Sequence, residues 1–246
     1  MSAELGIYVA IGFLAQIVDG ALGMAFGVIG SSSLMAMGVP PALASASVHA
    51  AEIVTTGISG ASHVWHRNVD WTLFRRLAGA GLVGGILGAY VLTGLPAEIV
   101  RPIVVVYLAA MAVLICARVA GHLRRRWNVP PEVVGSGGAF LDAIGGGGWG
   151  PLVASTLIAS GDKPRRTIGT TNTTEFVVTI AISATFLTQL DLSRYGQVVI
   201  GLIVGGAIAA PLAGWLVRRM PHRTALALVA LVISGLTAFN LYTLVR

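Results

Sequence analysis

The chain predicts an all-α polytopic membrane protein made of two inverted repeats, each a glycine-broken helical hairpin followed by three transmembrane helices. Three observations carry that prediction. Of 246 residues, 55% are apolar and 11% charged, against roughly 25% charged in soluble domains. This excludes a soluble globular enzyme, a disordered chain and an extramembrane domain. The apolar residues also form eight long blocks, and the two halves of the chain repeat one another at a fixed offset.

The blocks run from Leu5 to Met37, Pro41 to Trp65, Trp71 to Leu95, Ile99 to Ala117, Val133 to Ser160, Thr167 to Leu190, Tyr195 to Val217 and Thr224 to Leu244. Six have the length of one tilted helix, about 20 to 25 residues. The first and fifth are longer and carry the glycine clusters GALGMAFG at Gly20 to Gly27 and GGGGWG at Gly145 to Gly150, so both are expected to be broken helices. The opening MSAELGIYVAIG lacks a basic n-region and a small-residue cleavage site, so the first apolar stretch is expected to stay in the mature protein.

Residues 12 to 62 lie on 135 to 185 without a gap, an offset of 123, with thirteen identities in 51 positions. The matched acids Asp19/Asp142 and Glu52/Glu175 and the prolines Pro41/Pro164 weigh more than the matched glycines. Residues 1–123 and 124–246 are therefore read as two repeats of one integral membrane domain.

Thirteen of the 16 basic residues fall in four clusters: Arg67, Arg75, Arg76; Arg118, Arg124, Arg125, Arg126; Lys163, Arg165, Arg166; Arg218, Arg219, Arg223. Positive charge marks cytoplasmic loops. All four clusters face the cytoplasm only if the first and fifth blocks enter and return as hairpins, which inverts the halves and places both termini outside. The net charge of +6 thus reads as a topology signal, and no nucleic-acid partner is expected. Cys116 is the single cysteine, so neither an intrachain disulfide nor a cysteine metal cluster can form.

Asp19, Glu52, Asp142 and Glu175 are the acids inside apolar blocks. A carboxylate there costs on the order of 2.5 to 3.5 kcal/mol on insertion scales, so these four are candidate coupling groups that carry a proton or ion. For Asp19 and Asp142, just before the breaks, two readings stand: they bind a proton or cation, or they accept from exposed backbone N–H groups. The half-helix after each break presents free N–H groups and a positive dipole end suited to an anion. Gly23, Gly27, Gly146, Gly147, Gly148 and Gly150 are the candidate anion-binding positions, with Pro151 in a first helical turn. Ser47, His49, Thr170, Thr171, Asn172 and Thr173 supply neighbouring polar groups, and His49 maps onto Asn172 one turn before the glutamates. Hydroxyls of this kind also bond to their own preceding turn.

The stretches AQIVDGALGMAFG, VPPALASASVHAAEIVTTGISGASH, HRNVDW, GLVGGILGA, GAFLDAIGGGGWGPLV and GTTNTTEF resemble the TauE/SafE family of membrane exporters over nearly the whole chain. Asn68 to Trp71, Thr170 to Glu175 and the paired breaks are the most specific elements. The first break is GALGMAFG where the family more often has three glycines in a row. The resemblance implies a permease of the bacterial inner membrane that exports sulfite, sulfoacetate or related sulfur-containing anions.

The reading that results is a secondary transporter of a small sulfur oxyanion, coupled to protons or to the membrane potential, with the anion between the two breaks. Its partners are the small anionic substrate and the lipid bilayer. No cofactor is implied, and a homo-oligomer is compatible with the sequence. There is no Walker-type motif for ATP drive. A divalent-cation permease using the buried acids is the second reading. An intramembrane hydrolase using a serine with His49 or His63 is the third, without a G-x-S-x-G motif to support it.

Overall fold

The computed structural model describes residues 3–22, 25–120, 129–160, 162–191, 195–217 and 222–245. Among them there are ten α-helices, one π-helical turn and no strand. The first block divides into α1 (Ala3–Leu22) and α2 (Phe26–Ala36). The fifth becomes α6 (Pro131–Gly145), a π-helical turn over Gly150–Ala154 and α7 (Ser155–Ala159). The other blocks are α3 (Pro41–Trp65), α4 (Trp71–Gly94), α5 (Ala97–Val119), α8 (Pro164–Gln189), α9 (Gly196–Val217) and α10 (His222–Val245). At 1.5 Å per residue the 11 residues of α2 rise about 16 Å, half of a ~30 Å hydrocarbon core.

Local chemistry explains where the helices start. Proline stands at the first position of α3, α6 and α8, where its missing N–H would have had no partner. The N-cap of α4 is Asp70, whose Oδ1 accepts from Thr72 N at 2.9 Å and Leu73 N at 3.1 Å.

Small residues let the helices approach closely. On α4, Gly84 lies against the Ser136 backbone and Gly88 against that of Phe140, while Gly81 and Gly85 meet Val178 and Ile182 of α8. These pairings advance together along both chains, so α4, α6 and α8 run in the same direction. Gly57 faces Phe176 and Gly60 faces Thr173, so α3 and α8 run antiparallel. On the opposite flank, Gly12 of α1 meets Leu202 of α9, and Gly201 meets Tyr8.

The outer surface is apolar, with Val106 63%, Val113 68%, Leu187 65% and Leu231 70% exposed, a face suited to lipid and not to water. Trp65 and Trp71 stand exposed beside Arg67 at one end, at the position of interfacial aromatics. Among the described residues Trp71–Gly94 and Ala97–Ala117 are long and apolar enough on their own to cross a bilayer. The longer α3 and α8 are more polar: α3 bonds α6 through Ser45 and His49, and α8 through Asn172 to Ser59.

Candidate substrate site

The two breaks meet at Gly27 and Gly147, and an aspartate bonds forward across each. Asp142 Oδ1 accepts from Trp149 N at 3.0 Å, and Asp19 Oδ1 accepts from Phe26 N at 3.3 Å. Each aspartate therefore reaches seven residues forward and caps the half-helix beyond its break. Both aspartates thus accept a backbone N–H through Oδ1, as one of the two readings has it, which leaves Oδ2 of each to the other reading, a proton or cation. In the second break the chain turns through Gly146, Gly147 and Gly148 with φ of +67°, +145° and +152°, conformations that side chains rarely adopt. In the first break the counterpart of Gly148 is Ala25, at φ +114°. Gly23 lies outside the described residues.

Three N–H donors of the second break, those of Gly146, Gly147 and Trp149, already have acceptors. Gly146 N and Gly147 N both donate to the Asp142 carbonyl, at 2.8 and 3.1 Å, and Trp149 N is taken by the Asp142 carboxylate. Carbonyls are matched too: Ser31 Oγ donates to Gly146 O, Tyr107 OH to Gly147 O at 2.8 Å and Ser45 Oγ to Ala143 O at 2.6 Å. Gly27 and Gly147 touch backbone to backbone, and a Cβ on Gly27 would lie 2.8 Å from Glu52 Oε1. The space between the breaks, where the sequence places the anion, is filled by the protein itself in this conformation. Gly150 is buried at the start of the π-turn.

His49 is completely buried and bridges α3 to the second break. Its Nδ1 donates to Ser45 O at 2.8 Å, and its Nε2 lies 3.3 Å from Asp142 Oδ2. With Nδ1 turned to the Ser45 carbonyl, Nε2 is the ring nitrogen that faces Asp142 Oδ2. Ser45 Oγ donates to Ala143 O at 2.6 Å and lies 3.3 Å from His49 Nδ1, and the Ser45 side chain is buried.

The hydroxyls of the TTNTTE stretch turn back on their own helix. Thr170, Thr171, Thr173 and Thr174 donate to Arg166, Ile168, Gly169 and Thr170 carbonyls, the usual arrangement for hydroxyls in apolar helices. Thr171 O also receives Trp149 Nε1 at 3.1 Å, and Thr170 Oγ1 receives Asp70 N at 2.8 Å. Ser47 is buried, and its hydroxyl has no partner.

Open volume lies to one side of the breaks. A cavity of about 270 Å³ between α1, α3 and α8 is lined by Gln16, Asp19, Thr55, Thr56, Ser59, His63, Ile168, Asn172 and Glu175. It runs from His63 and Ile168, near the helix ends that carry Arg67 and Arg165, inward to Glu175 and Asp19. Asn172 Nδ2 donates to Ser59 Oγ across it at 3.0 Å. Of the predicted site residues, Asp19, Asn172 and Glu175 line this cavity. Sequence reasoning missed Gln16, Thr55, Thr56, Ser59 and, as a liner, His63. A signal for them exists, because Glu52, Thr56, Ser59 and His63 follow at steps of four, three and four residues, one polar stripe along an apolar helix.

The Asn68 to Trp71 segment clasps the mouth. Asn68 Oδ1 accepts from Arg165 Nε at 2.8 Å, its Nδ2 reaches His63 Nδ1 at 3.4 Å, and its backbone packs on Gly169. Nearby, Arg76 forms a two-bond pair with Glu132, with Nη2 to Oε2 at 2.9 Å, which holds the Glu132 carboxyl below the usual carboxylate range. Among the described residues no three His, Cys, Asp or Glu side chains converge as metal ligands would.

Comparison with known proteins places the chain in a family. Residues 8–241 match the family described as Sulfite exporter TauE/SafE. The probable membrane transporter protein YtnM of Bacillus subtilis (strain 168) is 38% identical over 229 residues, which is 88% of this chain and 75% of that protein. No solved structure matches. With the family match spanning nearly the whole chain, the protein belongs to the TauE/SafE sulfite exporter family and is an integral, helical membrane transporter.

Proposed function

We propose that this transporter exports a small sulfur oxyanion, sulfite or an organosulfonate such as sulfoacetate, from the cytoplasm across the bacterial inner membrane. The cavity ending at Glu175 and Asp19 is the observation that carries the proposal. It is polar, opens at the end of the molecule that holds Arg67, Lys163, Arg165 and Arg166, and at about 270 Å³ lies just below the range of ~300–1,000 Å³ typical of drug-sized sites. A small anion with part of its hydration shell suits that size. By the positive-inside rule this basic end is cytoplasmic and both termini are outside.

Two inverted repeats, 1–123 and 124–246, account for the rest. Their counterparts α3 and α8 run antiparallel, and α1 packs on α9 as α6 packs on α4, each broken hairpin resting on a helix of the other half. In this scheme Asn172, Ser59 and His63 hold the anion, and Glu175 and Asp19 carry the coupling proton. An anion among carboxylates in a low dielectric is repelled unless they are protonated, so anion and proton favour each other's binding. Glu52 and Asp142 take the same parts at the other face.

Equilibrium dialysis of labelled sulfoacetate with detergent-solubilised protein tests the site. Saturable binding that Asn172→Leu weakens at least tenfold, in protein that stays monodisperse, supports it. Binding that Asn172→Leu leaves unchanged contradicts it.

A further inference from the structure

The repeat offset carries the liners of the open cavity onto a second set of residues, and that set is shut. Gln16, Thr55, Ser59 and His63 map onto Ala139, Val178, Ile182 and Phe186, each 0 or 1% exposed. Asp19, Asn172 and Glu175 map onto Asp142, His49 and Glu52, at 2, 0 and 4%. Thr56 maps onto Thr179 and Ile168 onto Ser45, at 0 and 1%. All nine counterparts are buried, whereas the nine originals enclose the cavity of about 270 Å³.

Four of the counterparts, Ser45, His49, Asp142 and Phe186, are in contact, and two more pack on α4. The rings of His49 and Phe186 stand 6.1 Å apart, His49 bonds Asp142, and Val178 and Ile182 fill the hollows over Gly81 and Gly85. Two polar atoms among the nine counterparts have no hydrogen-bond partner, Thr179 Oγ1 and Glu52 Oε2. Buried hydroxyl and carboxyl oxygens almost always find partners, and these two would find them if water or an anion reached the cluster.

Resting on the transport reading above, we propose that this packed cluster is the second half of the substrate path in its closed state. It opens to the face opposite the basic one when the Ser59 cavity closes, and Ile182 and Phe186 are its gate. The repeats exchange conformations: whichever half is open presents an acid, an amide or imidazole, and a glutamate to the anion. The halves differ in their outer walls. Where the cytoplasmic cavity has Gln16, Ser59 and His63, the far one has Ala139, Ile182 and Phe186, an apolar wall that solvates an anion poorly. The far half is therefore a releasing chamber, and the fold is biased toward uptake of the anion from the basic face.

Thiol labelling tests this without any substrate, so failure of sulfoacetate transport leaves it standing, and its own failure leaves the transport reading standing. In a Cys116→Ser background, Ser59→Cys and Thr179→Cys are exposed in turn to a membrane-impermeant methanethiosulfonate, in right-side-out and in inverted vesicles. Ser59→Cys is expected to react from the basic face at least tenfold faster than Thr179→Cys reacts from either face. Adding Ile182→Ser and Phe186→His, which gives the far wall the side chains of the open one, is expected to raise labelling of Thr179→Cys at least tenfold from the opposite face. Ser59→Trp, which fills the open cavity, is expected to do the same and serves if the first pair does not insert. Labelling of Thr179→Cys from the basic face, or its continued protection in an inserted gate variant, overturns the proposal.

Discussion

Replacing Asp142 with alanine should be the most costly single change at the centre of the molecule, and its repeat counterpart provides a built-in control. Asp142 accepts from Trp149 N at 3.0 Å and holds His49 Nε2 at 3.3 Å, and all three residues are 2% exposed or less. Alanine leaves two buried polar groups without partners, at about 1–3 kcal/mol each, so a loss of about 2–6 kcal/mol is expected. Asp19 makes the same forward bond, at 3.3 Å to Phe26 N, but it faces the open cavity. Water can replace it there, so Asp19→Ala should cost only about 0.5–1.5 kcal/mol. Asp142→Asn keeps an oxygen for Trp149 N and offers an N–H to a singly protonated His49, and should cost about 1 kcal/mol. Unfolding free energies of the three variants in mixed micelles make the comparison. Equal losses for Asp142→Ala and Asp19→Ala, or a loss below about 1 kcal/mol for Asp142→Ala, would refute the assignment of Asp142 as the buried cap and imidazole partner.

Other expectations follow from the same geometry. Ala25 sits at φ +114°, where a side chain costs about 1–2 kcal/mol. Ala25→Gly should therefore stabilise by about 1 kcal/mol in the same unfolding assay, and a loss of stability would contradict the strain. Gly27→Ala drives a methyl into the Gly147 backbone and to 2.8 Å from Glu52 Oε1. It should destabilise by about 1–3 kcal/mol and abolish transport, whereas a neutral effect would mean the breaks do not pack together. Under the proposed coupling of anion and proton in the cavity, sulfoacetate affinity should fall as pH rises, by on the order of tenfold per pH unit for each linked proton. Glu175→Gln should flatten that dependence in dialysis between pH 6 and 8, and an unchanged slope would remove Glu175 from the linkage.

Much of the fold was legible because a bilayer imposes simple rules: long apolar blocks, basic loops, and glycine where a helix breaks. The repeat offset added the match of Asp19 with Asp142 and of Glu52 with Glu175, and the two aspartates make the same forward bond across their breaks. The site was less legible. An isolated half-helix after a glycine run offers free N–H groups, and nothing local in the sequence shows that Asp142 folds back to take them or that Tyr107, on a distant helix, fills the turn against Gly148. The threonines at 170, 171 and 173 looked like a ligand cluster, yet each hydroxyl had a carbonyl three or four residues behind it. Conversely, the stripe of Thr56, Ser59 and His63 is ordinary helical periodicity, overshadowed by the denser polar run at Ser45 to Glu52.

The account stands most directly on efflux from proteoliposomes loaded with sulfite or sulfoacetate under an imposed pH gradient, with wild type compared to Glu175→Gln and Asn172→Leu. It predicts saturable efflux that responds to the gradient and is lost in both variants while the protein stays intact. If neither anion moves through intact wild-type protein, or if a divalent metal ion moves instead, then the cavity beside Asp19 and Glu175 serves a different cargo and the sulfur-oxyanion reading is wrong.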